Sequence, residues 1–200
     1  MTTNNKTKSN STSQPEKARI GAIGENEVVS KLMQHGWDAF NANCTLKNYK
    51  SIDIVCLNSA IQNSQEKPWM PEVALIQVKT SVQKTIPAGF NIKESLQKNT
   101  LENQVKGPYV FVLADTSKEI WSFRYFVISR KQFIKLLYAA HEWYKNGYHR
   151  DKAISEESPA CMKVKWLEGK DEKETKNHIA FHNPLNGVSC EDCWENIWKD

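Results

Sequence analysis

Three polar side chains, Asp53, Gln77 and Lys79, sit inside runs that otherwise read as sheet interior, SIDIVCL at 51–57 and ALIQVKT at 74–80. A charge among apolar strand neighbours needs a partner or a ligand, because poor solvation makes an unpaired one costly. Side chains alternate along a strand with period two, so Gln77 and Lys79 share a face. From 53 to 77 is 24 positions, enough for one strand to finish, a loop to cross and the next strand to return beside it. Acidic and amide oxygens on neighbouring strands can hold a divalent cation, with a lysine beside them facing a phosphate. Those are the parts that phosphodiester hydrolysis by an activated water requires. The same residues admit a structural reading, with Asp53 and Lys79 as a cross-strand ion pair and Gln77 as a polar residue on an exposed face.

The elements that must position these groups can be read from periodicity. Residues 17 to about 35 carry Ile20, Ile23, Val28, Val29, Leu32 and Met33 at helical spacing and stop at Gly36, an amphipathic helix. Residues 37–42 read as a short strand and 51–57 as a second, with a turn region over 43–50 between them. The stretch 58–71 holds polar residues and two prolines and reads as a loop, the long tip of a hairpin. Residues 72–81 are rich in β-branched side chains and form the best strand of the chain. Ile92, Leu96, Thr100 and Val105 place a helix over 91–104, ended by Gly107 and Pro108. Strands over 109–114 and 120–128 and a helix over about 130–144 follow. The order is helix, three strands, helix, strand, strand, helix, an α/β class with a mixed sheet flanked by helices. The three polar groups are expected at the edge of that sheet.

A chain of 200 residues and 23.0 kDa supports one well-buried domain with decorations. Residues 1–16 hold no large apolar side chain after Met1 and read as a disordered tail. Residues 17–144 form the α/β core and 145–200 a C-terminal helical extension packed on it; 145–176 carry no functional reading. The net charge of +4 permits nucleic-acid binding without requiring it. No apolar run has the length of a membrane span, and the first thirty residues lack the apolar centre of a signal peptide, so the expected address is the cytoplasm. Five cysteines, an odd number, suit thiols in a reducing compartment.

With Gly24-Glu25 in the first helix, Ile52-Asp53-Ile54-Val55 on a strand and Ile76-Gln77-Val78-Lys79-Thr80-Ser81 on the next, the chain resembles the PD-(D/E)XK nuclease superfamily over about residues 17 to 130. Ile52 stands where the name-giving motif has Pro. Gln77 stands where Glu or Asp is more usual, as in QxK branches similar to Mrr-type restriction enzymes. The resemblance implies a restriction-endonuclease-like fold, which makes 17–144 a nuclease-like core, and a Mg²⁺-dependent endonuclease acting on DNA, with Mn²⁺ able to substitute, in restriction, defence or repair. Asp53 would be the main metal ligand, Gln77 a second, Lys79 the group that positions water and stabilises developing charge, and Glu25 would reach the metal through water. A homodimer fits such enzymes. The alternative is a catalytically inactive nuclease-fold module that binds DNA or a partner.

Glu25 could also be a plain acid near the start of its helix, where the macrodipole favours it, but Gly21 and Gly24 would let that helix approach the sheet. His178, His182, Cys190 and Cys193 have spacing that can hold zinc. Against zinc, Ser189 can cap a helix that places Cys190, Cys193, Trp194 and Ile197 on one core-facing stripe, and that reading is preferred. Trp121, Phe123, Tyr125 and Val127 alternate, as a base-stacking platform would or as a buried strand would, and the buried strand is preferred. Lys84, Lys93, Lys98 and Lys106 could touch phosphates or form a solvated helix face.

Overall fold

A computed structural model of the chain describes residues 13–42, 52–62, 71–148 and 154–199. The expected tail over 1–12, the turn over 43–50 and Cys44 lie outside the described residues. Helix α1 (Gln14–Gln34) starts earlier than the periodicity suggests, because Pro15 fits its first turn, where a missing N–H leaves no bond unmade. Residues 14–16 therefore belong to the helix and not to a tail. Gly36, at φ 82°, takes the left-handed conformation that ends it.

Strands β1 (Asp38–Asn41), β2 (Ile54–Gln62) and β3 (Pro71–Ser81) follow. β2 runs into the stretch expected to be loop, and its pairing with β3 shifts register between Asn58 and Gln62. Next comes a strand the periodicity missed, β4 (Thr85–Asn91), then α2 (Ile92–Ser95) and α3 (Lys98–Gln104). The single helix expected over 91–104 is thus two. Asn91 and Glu94 cap the first reciprocally, and Gln97, extended at φ −110° and ψ 95°, separates them. β5 (Tyr109–Asp115), β6 (Ser122–Ile128) and α4 (Arg130–Asn146) complete the expected order; a second capping box, from Ser129 and Gln132, starts α4. The chain closes with β7 (Pro159–Lys163), α5 (Val164–Leu167) and a 3-10 helix (Trp194–Trp198). The C-terminal segment is turns and short elements rather than the helical extension expected. Among the described residues no helix is long and apolar enough to cross a membrane.

The main sheet has order β1-β2-β3-β5-β6, antiparallel except for the parallel pair β3–β5; β4 and β7 form a separate antiparallel pair. Val28 and Leu32 of α1 pack on Ile54, Ile76, Val78, Val110 and Val112, with Trp194 and Ile197 completing that layer. The opposite face carries Tyr109, Phe111, Phe126 and Ile128 against Phe133 and Leu137 of α4, Ile86 of β4, and Trp166 and Phe181 of the C-terminal segment. Both layers therefore contain residues from beyond α4.

Close contact of α1 with the sheet depends on Gly24 and not on Gly21. A Cβ added at Gly24 would lie 1.9 Å from Thr80 Oγ1 and 2.8 Å from Thr80 Cβ, whereas one at Gly21 would meet nothing within 4 Å. Gly24→Ala should therefore lower stability by about 1–3 kcal/mol. Gly21→Ala, which only gains helix propensity, should raise it by about 0.5–1 kcal/mol. Urea unfolding of the two variants should move in opposite directions, and a shared sign would overturn the contact.

Candidate functional site

The site is built where β3 exchanges one partner for another. Up to Ile76 the strand pairs antiparallel with β2, and from Gln77 to Ser81 it pairs in parallel with β5, Gln77 standing opposite Tyr109. The Asp53 N–H donates to the Ile76 carbonyl at 2.9 Å, and the Asp53 carbonyl accepts the Ala42 N–H at 2.8 Å, so its backbone is held from both neighbouring strands. Two residues further along β3, the Val78 N–H points to the side that β2 no longer occupies. Asp53 Oδ2 accepts it at 2.8 Å, in the place of the strand carbonyl that would have come next. The same oxygen accepts from Gln77 Nε2. β2 and β3 are the second and third of five strands, so these groups lie inside the sheet, where β2 begins, and not at its edge as expected.

Lys79 follows Gln77 by one strand period and carries its stem beneath β4. Gly89 of that strand, at φ 91°, passes so close that a Cβ there would sit 3.2 Å from Lys79 Cε. Burial pushes the Lys79 ammonium below its ordinary value, while the Asp53 and Glu25 charges pull it back up. α1 supplies Glu25, the neighbour of the close-packed Gly24, and Asn41 Nδ2 donates to Glu25 Oε2 at 2.8 Å. Burial raises the Glu25 carboxyl, the Asn41 bond lowers it, Asp53 raises it and Lys79 lowers it. Tyr109 lies near too: burial first, then the Asp53 charge, pushes its hydroxyl up. All four side chains named from the sequence thus converge. Asn41, Gly89, Tyr109 and the Val78 N–H were not foreseen, and only the glycine in an alternating stretch offered a sequence signal.

The arrangement offers hard oxygens of the sort that Mg²⁺ or Mn²⁺ takes. As placed, the Gln77 amide turns its nitrogen to Asp53; rotating it about its last bond exchanges nitrogen for oxygen, and the donors are then two carboxylates and one amide oxygen. Among the described residues no three His, Cys, Asp or Glu side chains gather within reach of one ion, so a divalent cation here would have to take the Gln77 amide oxygen as a ligand.

The C-terminal His and Cys residues have separate surroundings. His178 lies 5.2 Å from the Trp143 ring and 5.0 Å from that of Tyr148, and exposed His182 stands 3.6 Å from Asp171. Cys190 is buried, and Cys193 Sγ is 3.3 Å from the Ser189 carbonyl. The helix expected after Ser189 does not form. Ser189 Oγ accepts the Glu191 N–H at 3.1 Å in a tight turn, Asp192 takes φ 51°, and helical structure begins only at Trp194. On β6, Tyr125 and Val127 are buried in the layer completed by Trp194 and Ile197, and Phe123 packs against it, so these three serve the core; Trp121 precedes the strand and is half-buried. Of the four lysines, Lys84 and Lys93 are exposed, Lys106 donates to the Asn103 carbonyl at 2.6 Å, and Lys98 lies 4.6 Å from the Tyr138 ring centre.

Because the folded state raises the Glu25 pKa, it binds a proton more tightly than the unfolded chain, so this group lowers stability as pH rises from the ordinary carboxylate range through the raised value. Glu25→Gln, which can still accept from Asn41, removes that dependence. It should melt higher than the natural protein near neutrality, by on the order of 2 °C, with the gap closing in acid. Melting curves across pH that show a constant or reversed gap would refute the burial of a costly charge.

No family model, no curated protein and no solved structure matches the chain.

Proposed function

We propose that the protein is a Mg²⁺-dependent endonuclease of restriction-endonuclease-like fold, hydrolysing DNA phosphodiester bonds through an activated water. The observation that carries this reading is the convergence of Asp53, Gln77, Lys79 and Glu25 where β2 begins and β3 changes partners. Asp53 and Gln77 would hold the ion, with Glu25 reaching it through water. Mg²⁺ or Mn²⁺ bound there supplies neutralisation of phosphate charge and a more acidic water. Lys79, its stem confined below Gly89, would donate to a non-bridging phosphate oxygen as negative charge grows on it. A half-buried lysine does this better than an exposed one because fewer waters compete for its hydrogen bonds. The water oxygen would bond to phosphorus as the bond to the sugar oxygen breaks, with the water giving up its proton to solvent and the departing oxygen taking one from solvent. Cutting both strands of a duplex would call for two such sites, which a homodimer provides. The cytoplasm is the proposed compartment.

One observation favours a second reading, a nuclease-fold module that binds DNA or a partner without cutting. Gln77 is neutral, and its amide nitrogen rather than its oxygen faces Asp53.

Supercoiled and linear DNA incubated with the protein in Mg²⁺ or Mn²⁺ separates the two. Asp53→Ala and Lys79→Ala should each slow cleavage by about 10²–10³-fold; no cleavage of any substrate, or cleavage that survives both changes, overturns the enzyme reading. Gln77→Glu replaces a neutral oxygen donor with a charged one and should tighten Mn²⁺ binding on the order of tenfold, measured by calorimetry, whereas an unchanged affinity would remove Gln77 from the ligand set.

A further inference from the structure

We infer that the groove between α3 and α4 is a track for the phosphate backbone of a DNA duplex leading to the site, a surface that rests on the nuclease reading and names where its substrate lies. The groove, about 490 Å³, is lined by Lys98 and Glu102 of α3 and by Arg130, Lys131, Lys135 and Tyr138 of α4. Four cations face one carboxylate there. Lys131, Lys135 and Tyr138 recur at positions i, i+4 and i+7, so they form one stripe along the helix, and both lysines are exposed.

These cations are set apart by sharing one groove, not by the lack of an ion pair among the described residues, which Lys84 and Lys173 lack as well. The ion pairs among the described residues engage Arg124, Lys145, Lys163, Lys165 and Lys170, and none of the four in the groove. Arg130 is held instead by neutral carbonyls, Nε donating to Val105 at 2.8 Å and Nη2 to Glu102 at 2.6 Å, which fixes its direction and leaves its charge uncompensated. Lys98 is steadied over the Tyr138 ring, 4.6 Å from its centre. Positive charge that is oriented but not neutralised is what a phosphate backbone exploits, since each neutralised phosphate releases counterions.

The groove also begins at the right end of the sheet. Gln77, Tyr109 and Ile128 stand in register across β3, β5 and β6, and Arg130 follows Ile128 by two residues. Strand spacing puts Ile128 roughly 10 Å from the line of β3. Tyr109 stacks on Phe133 in the first turns of α4, with ring centres 3.9 Å apart, and its hydroxyl feels the Asp53 charge. The start of the groove and the Asp53 site thus lie at the same end of the sheet.

The test is fluorescence anisotropy of a labelled DNA duplex with the full chain in EDTA, over a range of salt, so that binding is read without cleavage. Lys131→Glu with Lys135→Glu should weaken binding at least tenfold and make the log–log salt slope shallower by about two. Lys173→Glu, outside the groove, should leave both unchanged. Circular dichroism melting confirms that the exposed substitutions leave the fold intact; Lys131→Gln with Lys135→Gln, a milder pair, should weaken binding in the same direction. Wild-type protein that does not bind DNA, that prefers phosphatidylserine vesicles, or that is matched by the double variant overturns the groove. A natural protein that binds through the groove and cuts nothing supports it while removing the enzyme reading.

Discussion

The change of partner along β3 is the constraint from which the rest of the site follows. A strand with different neighbours on its two halves must pass through a point where one neighbour has begun too late to serve it. At Val78 that point exposes an N–H to a side without a strand, and an unpaired buried amide is expensive. The carboxylate of Asp53 fills the role, which requires Asp53 to sit immediately before β2 with its own backbone bonded to Ile76 and Ala42. Gln77 and Lys79 then take their directions from the pleat, both on the face away from α1.

Two glycines bring the remaining pieces in. Gly24 lets α1 rest on Thr80, which sets Glu25 near the start of β2, and Gly89 lets β4 cross above the Lys79 stem. The result is two carboxylates and one ammonium in a partly desolvated place, a net of one negative charge. A carboxylate at position 77 would make it two, with the extra charge next to Asp53. An amide there supplies a donor to Asp53 as the fold stands and an oxygen if it turns, so the site can exist as folded protein at modest electrostatic cost.

How much of this the sequence disclosed depended on sequence distance. The β2–β3 pairing, the shared face of Gln77 and Lys79, α1 with its stop at Gly36, and α4 were legible because their signals are local and periodic. β4 was not. Pro87 and Gly89 mark loops in a sequence, yet Pro87 sits in a two-stranded sheet, where a missing donor is tolerated, opposite Cys161, which is far along the chain. With β4 hidden, the cover over Lys79 was hidden too. The break in the helix after Ser95 escaped notice because the apolar spacing of Ile92, Leu96 and Val105 spans it. The site's place inside the sheet was invisible for a different reason: strand order is fixed by the parallel crossover from β3 to β5, which no local pattern records.

Asp53 alone does not discriminate between a structural and a chemical role, because capping the Val78 N–H would keep it in either case. Gln77, as donor to the same oxygen, is equally at home in both. Lys79 and Glu25 weigh differently. A strand cap needs an acceptor and a donor, and has both without them, yet burial disfavours the charged form of each. An apolar residue at 79 would pack under Gly89, and a shorter neutral one at 25 would leave Asn41 to solvent. Two desolvated charges of opposite sign, beside a third held in place by the sheet, are more than the packing of these elements requires. Local conflict of that kind, in a region whose backbone is otherwise well satisfied, is where chemistry is to be sought.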